Sequence, residues 1–278
     1  MCLPSDSANG IAYIFINKER NGALKSVLSG LVTALSMYSV FPMPQLEWNQ
    51  HTMKYAMCFF PFVGIVVGAF VYLWVWICGF FSLNTALAAV VLALLPILLS
   101  GGIHIDGLID TSDALSSHQP AERKLEILKD SHVGAFGVMI CVSYLLLCFG
   151  FGMQFFDHPQ LILLLCLGYV LSRGYSALAV VSFRLARDTG LAHAFCGQAD
   201  KTVVKATSLL YILAASAGMI LIDPMIGCIA VAAAFLWLLL FRRICYGKFG
   251  GLTGDLAGYS LCITELLVLI VAAAGGLA

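Results

Sequence analysis

Residues 85–113 read TALAAVVLALLPILLSGGIHIDGLIDTSD, an apolar run that ends in a glycine pair and then three aspartates, Asp106, Asp110 and Asp113. The apolar part suits a helix that enters a bilayer. The acids follow at offsets of four and three, which place all three carboxylates on one face of a helix. At roughly 6 Å and an effective dielectric near 20, each neighbouring ionised pair repels by about 3 kcal/mol. A cation between the carboxylates relieves that cost, and oxygen-only ligands favour Mg²⁺ or Mn²⁺ over zinc. The stretch predicts a membrane enzyme that handles a phosphate-bearing substrate through a metal at Asp106, Asp110 and Asp113.

Composition agrees. The chain has 278 residues, 61% hydrophobic and 11% charged, with a mean hydropathy of +0.95. A soluble domain carries roughly 25% charged residues, so this is the composition of a polytopic membrane protein. The net charge of zero argues against nucleic acid as a partner. Ten cysteines form no CxxC pair and no Cys/His cluster. Most lie in apolar runs, where a thiol packs as a small hydrophobe, so neither a disulfide framework nor a zinc site is expected. The N-terminus lacks the pattern of a cleaved leader.

Seven apolar runs are long enough to cross a bilayer as helices, near 56–81, 85–103, 133–155, 161–183, 206–222, 224–241 and 256–277. Ile222-Asp223-Pro224 predicts a tight hairpin between the fifth and sixth, because proline cannot continue the preceding helix. The short connections lack lysine and arginine. The long ones and the N-terminal 55 residues hold 14 of the 15 basic residues. That bias puts the long loops in the cytoplasm, in an inner-membrane protein whose C-terminus lies outside.

The serine-broken segment from Leu24 to Phe41, ended by Pro42-Met43-Pro44, reads as an interfacial or re-entrant helix. The expectation is an all-α integral membrane protein: about seven spans plus that N-terminal helix. Residues 1–23 form a cytoplasmic segment and residues 24–278 a single domain. Residues 121–130 predict a short amphipathic helix with Leu125 and Leu128 inward and its charges outward.

Four further features bear on chemistry. Gly107, between the first two acids, has no side chain and leaves room for a phosphate at the backbone. His104 reads either as a proton acceptor or as an ordinary interfacial histidine. Gly250-Gly251-Leu252-Thr253-Gly254-Asp255 frees backbone amides toward an anion, with Asp255 as helix cap or metal ligand. Arg173 and Glu265 fall near mid-membrane, where charge is costly. They form an ion pair, or the arginine fork grips a substrate phosphate; residue types alone leave both open.

Together these strings resemble the cobalamin synthase family, the adenosylcobinamide-GDP ribazoletransferases. GGIHIDGLIDTSDAL (101–115), LEILKDSHVG (125–134), Ser172-Arg173-Gly174, the patch from Gly190 to Gly197 and GGLTGD (250–255) with Glu265 carry the likeness, which runs from about residue 24 to the end. The resemblance implies an Mg²⁺-dependent inner-membrane transferase of vitamin B12 assembly. It would join adenosylcobinamide-GDP to α-ribazole or α-ribazole 5′-phosphate and release GMP, with its active site facing the cytoplasm. It also implies that Asp106, Asp110 and Asp113 are catalytic and metal-binding, with His104 beside them. Gly107, Lys129, Arg173, Asp255 and Glu265 would bind substrate. The sequence departs from the family pattern at Ala114, where glycine is common, and at Val40, where a basic residue is usual. Partners on this reading are the two substrates and the lipid bilayer; a homo-oligomer stays open.

Three other readings compete. A CDP-alcohol phosphatidyltransferase also uses spaced aspartates, but its motif carries an Ala-Arg pair after the first Asp-Gly, where this chain has Leu108-Ile109. An aspartate-rich prenyltransferase would show a second acidic cluster. A secondary transporter would use Arg173 and Glu265 as a pathway, yet no repeat relates two halves of the chain.

Overall fold

The computed structural model describes residues 24–156, 158 and 161–275, and the expected N-terminal segment 1–23 lies outside them. Among the described residues the regular elements are all helices, with one isolated bridge between Leu185 and Leu252. In chain order they form α1 (Leu24–Tyr38), α2 (Gln50–Met53), α3 (Phe60–Phe80), α4 (Thr85–Leu99), α5 (Ile103–Ser116) and α6 (Ala121–Ile127). These are followed by α7 (Ala135–Gly152), α8 (Ile162–Ser182), α9 (Leu191–Gln198), α10 (Lys201–Ile222), α11 (Pro224–Phe249) and α12 (Gly254–Gly275). Six helical stretches are long and apolar enough to cross a membrane, and the bent pair α4 and α5 makes a seventh if taken as one span. The all-α membrane architecture read from the sequence is the one observed.

Local chemistry sets the ends. The Asn84 side chain caps α4 by accepting the Ala86 and Leu87 N–H groups. Asp223 accepts the Ile226 N–H at 2.8 Å and Pro224 opens α11, which makes the predicted hairpin. α1 and α4, at 15 residues each, are about 22 Å long, too short to cross a core of about 30 Å alone.

The second predicted span departs from expectation. It stops at Leu99 rather than residue 103. Gly101 and Gly102 take left-handed φ values of +65° and +82°, and α5 then leaves at 93° to α4. A glycine pair bears that turn without a Cβ clash. The acids are thereby carried out of the apolar run.

α8 and α12 form the buried centre of the bundle, while α7, α10 and α11 leave large apolar side chains such as Leu146, Leu210 and Leu236 exposed, as lipid-facing helices do. The only two charged side chains buried in this centre, Arg173 and Glu265, sit on these two inner helices. α3 lies against α8 so closely that a Cβ on Gly64 would collide with the Tyr169 carbonyl. Gly64→Val is therefore expected to overpack this crossing by roughly 1–3 kcal/mol. The check is a lowered unfolding temperature of the detergent-purified protein relative to a lipid-facing control such as Leu210→Val.

Candidate active site

Both acidic strings meet at one end of the bundle. α5 lies against the first turns of α12, and the contact is made at Gly107, where a Cβ would come within 2.6 Å of the Asp255 carbonyl oxygen. Gly258 answers from α12, facing the His104 backbone. The missing side chain of Gly107 therefore serves helix packing; Asp255 fills the room that had been expected to admit a phosphate.

The glycine loop before α12 is likewise a joint. Gly250 closes α11 with φ +73°, Gly251 donates to Cys245 O, and Leu252 donates to Arg184 O at 2.8 Å. Ala186 returns a hydrogen bond to Leu252 O. These amides are spent within the protein and do not point at an anion. Thr253 caps α12 by accepting the Leu256 N–H, and Asp255 in the first turn lines the cleft beside it.

Between these elements lies a cleft of about 170 Å³. Its walls include His104 and Asp106 of α5, Arg187 and Gly190 before α9, Phe195 of α9 and Asp255. Arg187 Nη2 donates to Asp255 Oδ2 at 3.1 Å, while its Nη1 is buried without a partner among the described residues. Tyr38 of α1 stacks on the His104 ring at 6.0 Å and Phe60 tilts against it at 5.7 Å. The N-terminal helix thus forms an aromatic wall of the site.

The electrostatics separate the acids. Burial, then repulsion from Asp106, Asp255 and Asp113, pushes the Asp110 carboxyl up to about 6. No hydrogen bond reaches the Asp106 or Asp110 carboxylate from any described residue. Asp113 differs: both its oxygens accept backbone N–H groups, from Gly134 and Gly137 at 2.8 Å each. Burial, then the Arg173 charge, holds His104 well below the usual histidine range, so its imidazole is neutral at pH 7. Its Nε2 has no partner among the described residues.

Comparison with known proteins fits this geometry. Residues 30–273 match the family model described as cobalamin-5-phosphate synthase. The chain belongs to this family. An adenosylcobinamide-GDP ribazoletransferase of Lachnoclostridium phytofermentans is 41% identical over 240 residues, covering 86% of this chain and 91% of that protein. Enzymes of the same name from Desulfitobacterium hafniense and Clostridium botulinum are 35% and 29% identical, over 85% and 88% of this chain and 93% and 96% of theirs. No solved structure matches. As an adenosylcobinamide-GDP ribazoletransferase the chain is a membrane transferase of cobalamin biosynthesis, as its motifs implied.

Within this family frame, some expected residues lie elsewhere. Lys129 is exposed and does not line the cleft; its neighbour Lys124, expected on the outer face of α6, is the buried one. Arg173 and Glu265 lie deeper between α8 and α12, joined as an ion pair that Ser172 braces by donating to Glu265 Oε1 at 3.0 Å. Arg173 also donates to Tyr169 O and packs over the Tyr169 ring. The ion pair is present, and the cation at the cleft is Arg187, one of several loop basic residues able to bind a substrate phosphate but equally placed there by topology. Tyr38 and Phe60 gave no sequence signal, because aromatic residues are common throughout this chain, whereas Phe195 belongs to the patch from Gly190 to Gly197 that carried the family likeness.

Breaking one partner of a buried pair strands a charge and costs roughly 3–5 kcal/mol, whereas replacing both with apolar residues is often neutral. Glu265→Leu alone should lower the unfolding temperature in detergent sharply, and Arg173→Met with Glu265→Leu should recover most of it.

Proposed function

We propose that the cleft transfers the adenosylcobinamide-phosphate group of adenosylcobinamide-GDP to α-ribazole, or to α-ribazole 5′-phosphate, with release of GMP and with Mg²⁺ as cofactor. The observation that carries this reading is a cleft lined by two carboxylates, Asp106 and Asp255, and by the Arg187 fork, with Asp110 one helical turn on from Asp106 and repelled by both acids. Among the described residues no three His, Cys, Asp or Glu side chains are grouped as a complete metal site. Mg²⁺ is commonly held by only one or two carboxylates and completes its shell with water and substrate phosphate. Asp106 and Asp110 fit that role, since their repulsion has no other relief. When bound there, Mg²⁺ would neutralise pyrophosphate charge and the departing GMP.

The remaining steps fall to the chain. Arg187, fixed by Asp255, offers its guanidinium to the phosphates, and the N-terminus of α9 adds partial positive charge at Gly190. An acceptor that keeps its 5′-phosphate in the product must attack through another ribose hydroxyl, which needs a base. Neutral His104, beside Asp106 and without a partner for Nε2, receives that proton. The new ester O–P bond forms at the phosphorus attached to cobinamide, the P–O–P bridge breaks, and GMP leaves with the bridging oxygen. Lys54, Arg123, Lys129, Arg184, Lys201 and Arg242 belong to connections or helix ends on the cleft side, so the positive-inside bias supports a cytoplasmic active site.

The test is GMP release by detergent-purified protein given both substrates. Activity should vanish with EDTA and return with Mg²⁺; Asp106→Asn and Asp110→Asn should each lower kcat by roughly 10²–10³-fold. Turnover that persists in excess EDTA overturns the metal assignment, and no GMP release overturns the reaction. Arg187→Met should raise KM for adenosylcobinamide-GDP by roughly 10- to 100-fold. The raised Asp110 pKa sets the sign of the pH effect. Below about 6 the carboxyl is protonated and cannot ligate, so the half-activating Mg²⁺ concentration should climb as pH falls through that value and level off above it.

A further inference from the structure

Asp113 stands apart from the other two acids of its motif. Gly134 is the N-cap of α7 and Gly137 its third helical residue, and α7 has no side-chain cap of its own. Asp113, from α5, supplies one. Its Oδ2 accepts the Gly134 N–H and its Oδ1 the Gly137 N–H, both at 2.8 Å, which satisfies donors that a helix start otherwise leaves free. Both positions are glycine for a reason: a Cβ on either would collide with the Asp113 carboxylate. On Gly137 it would also come within 2.9 Å of the Ile109 carbonyl oxygen. The acid and the two glycines are one fitted joint. The positive end of the α7 dipole gives Asp113 the countercharge that Asp106 and Asp110 lack.

We propose that Asp113 is a positioning residue and not a metal ligand. It fastens the first turn of α7 to α5 and so sets the rotation at which α5 presents Asp106 and Asp110. α5 depends on such a fastening, because it has left α4 through a 93° bend at a glycine pair. α12 holds it at Gly107, and α7 holds it at Asp113. The joint also ties down the 117–133 connection that carries α6. This rests on the reading of Asp106 and Asp110 as the Mg²⁺ ligands.

The test uses the full chain in detergent, with Mn²⁺ as the probe, its binding followed by electron paramagnetic resonance. Hydrogen exchange of the Gly134 and Gly137 amides and steady-state GMP release are read on the same samples. Asp113→Asn is expected to speed exchange at both amides and to lower kcat by roughly ten- to a hundredfold. KM should stay within about twofold of the parent, and the Mn²⁺ dissociation constant should rise by only about two- to fivefold, because both ligand carboxylates remain and α12 still holds α5 at Gly107. Gly137→Ala, which removes no oxygen ligand, should do the same, and it serves if Asp113→Asn does not fold. Asp106→Asn should weaken Mn²⁺ binding at least about tenfold without changing that exchange. The proposal is overturned if Asp113→Asn weakens Mn²⁺ as Asp106→Asn does while both amides stay protected, or if Gly137→Ala keeps full kcat. If Asp106→Asn leaves Mn²⁺ binding intact, the metal reading fails on its own, and the joint is still decided by the exchange at Gly134 and Gly137.

Discussion

Negative charge in an apolar chain must be met by positive charge, and the fold is arranged around that requirement. Five carboxylates lie on α5 and α12, and three of them have an internal partner. Glu265 has Arg173 across the α8–α12 contact. Asp255 has Arg187. Asp113 has the amides that open α7. Asp106 and Asp110 have none among the described residues, and burial, then repulsion from the neighbouring acids, raises the Asp110 pKa. An enzyme that gathers a pyrophosphate and a divalent cation needs such an uncompensated pair, because a fully neutralised site would have no affinity for the metal. The satisfied acids make this possible. Each pins a helix that frames the pair, so the repulsion between Asp106 and Asp110 is borne by packing elsewhere.

The close approach of α5 to α12 does the framing. Two motifs about 150 residues apart meet because Gly107 lets the Asp255 backbone come against α5. A side chain there would part the helices and move Asp255, with Arg187 behind it, away from Asp106. What looked in sequence like space for substrate is space for protein. The Gly250-Gly251 loop repeats the lesson, since its amides hold the 184–186 strand-like segment through Leu252 instead of an anion.

Much of this was legible in the chain. Hydropathy marked the spans, because twenty apolar residues have few other uses, and Asp223-Pro224 marked a hairpin whose cap geometry is as expected. The acids were conspicuous at their spacing, and the near-midplane Arg173 and Glu265 advertised themselves by their cost. Three things were not legible. The break at Gly101-Gly102 was hidden inside a continuous hydropathy signal, which reads composition and not direction. The division of labour among Asp106, Asp110 and Asp113 was hidden because helical periodicity treats them alike. Only the position of α7 distinguishes the third. Arg187 was hidden by abundance: long loops on the basic side are full of arginine, and only contact with Asp255 singles one out.

The size of the cleft sets a last constraint. At about 170 Å³ the cleft is smaller than the roughly 300–1,000 Å³ of pockets that enclose a whole small ligand. On the proposed reaction, the bulk of both substrates must lie outside the region lined by Asp106, His104 and Arg187. The protein's grip on the reacting centre is therefore made of a few charges and one neutral imidazole, placed by rigid helices. Binding energy from the larger substrate parts can then be directed at the phosphorus only if those helices do not shift under it. On the proposed roles, that is why Asp113, which holds the start of α7 against α5, matters as much to the arrangement as Asp106 and Asp110.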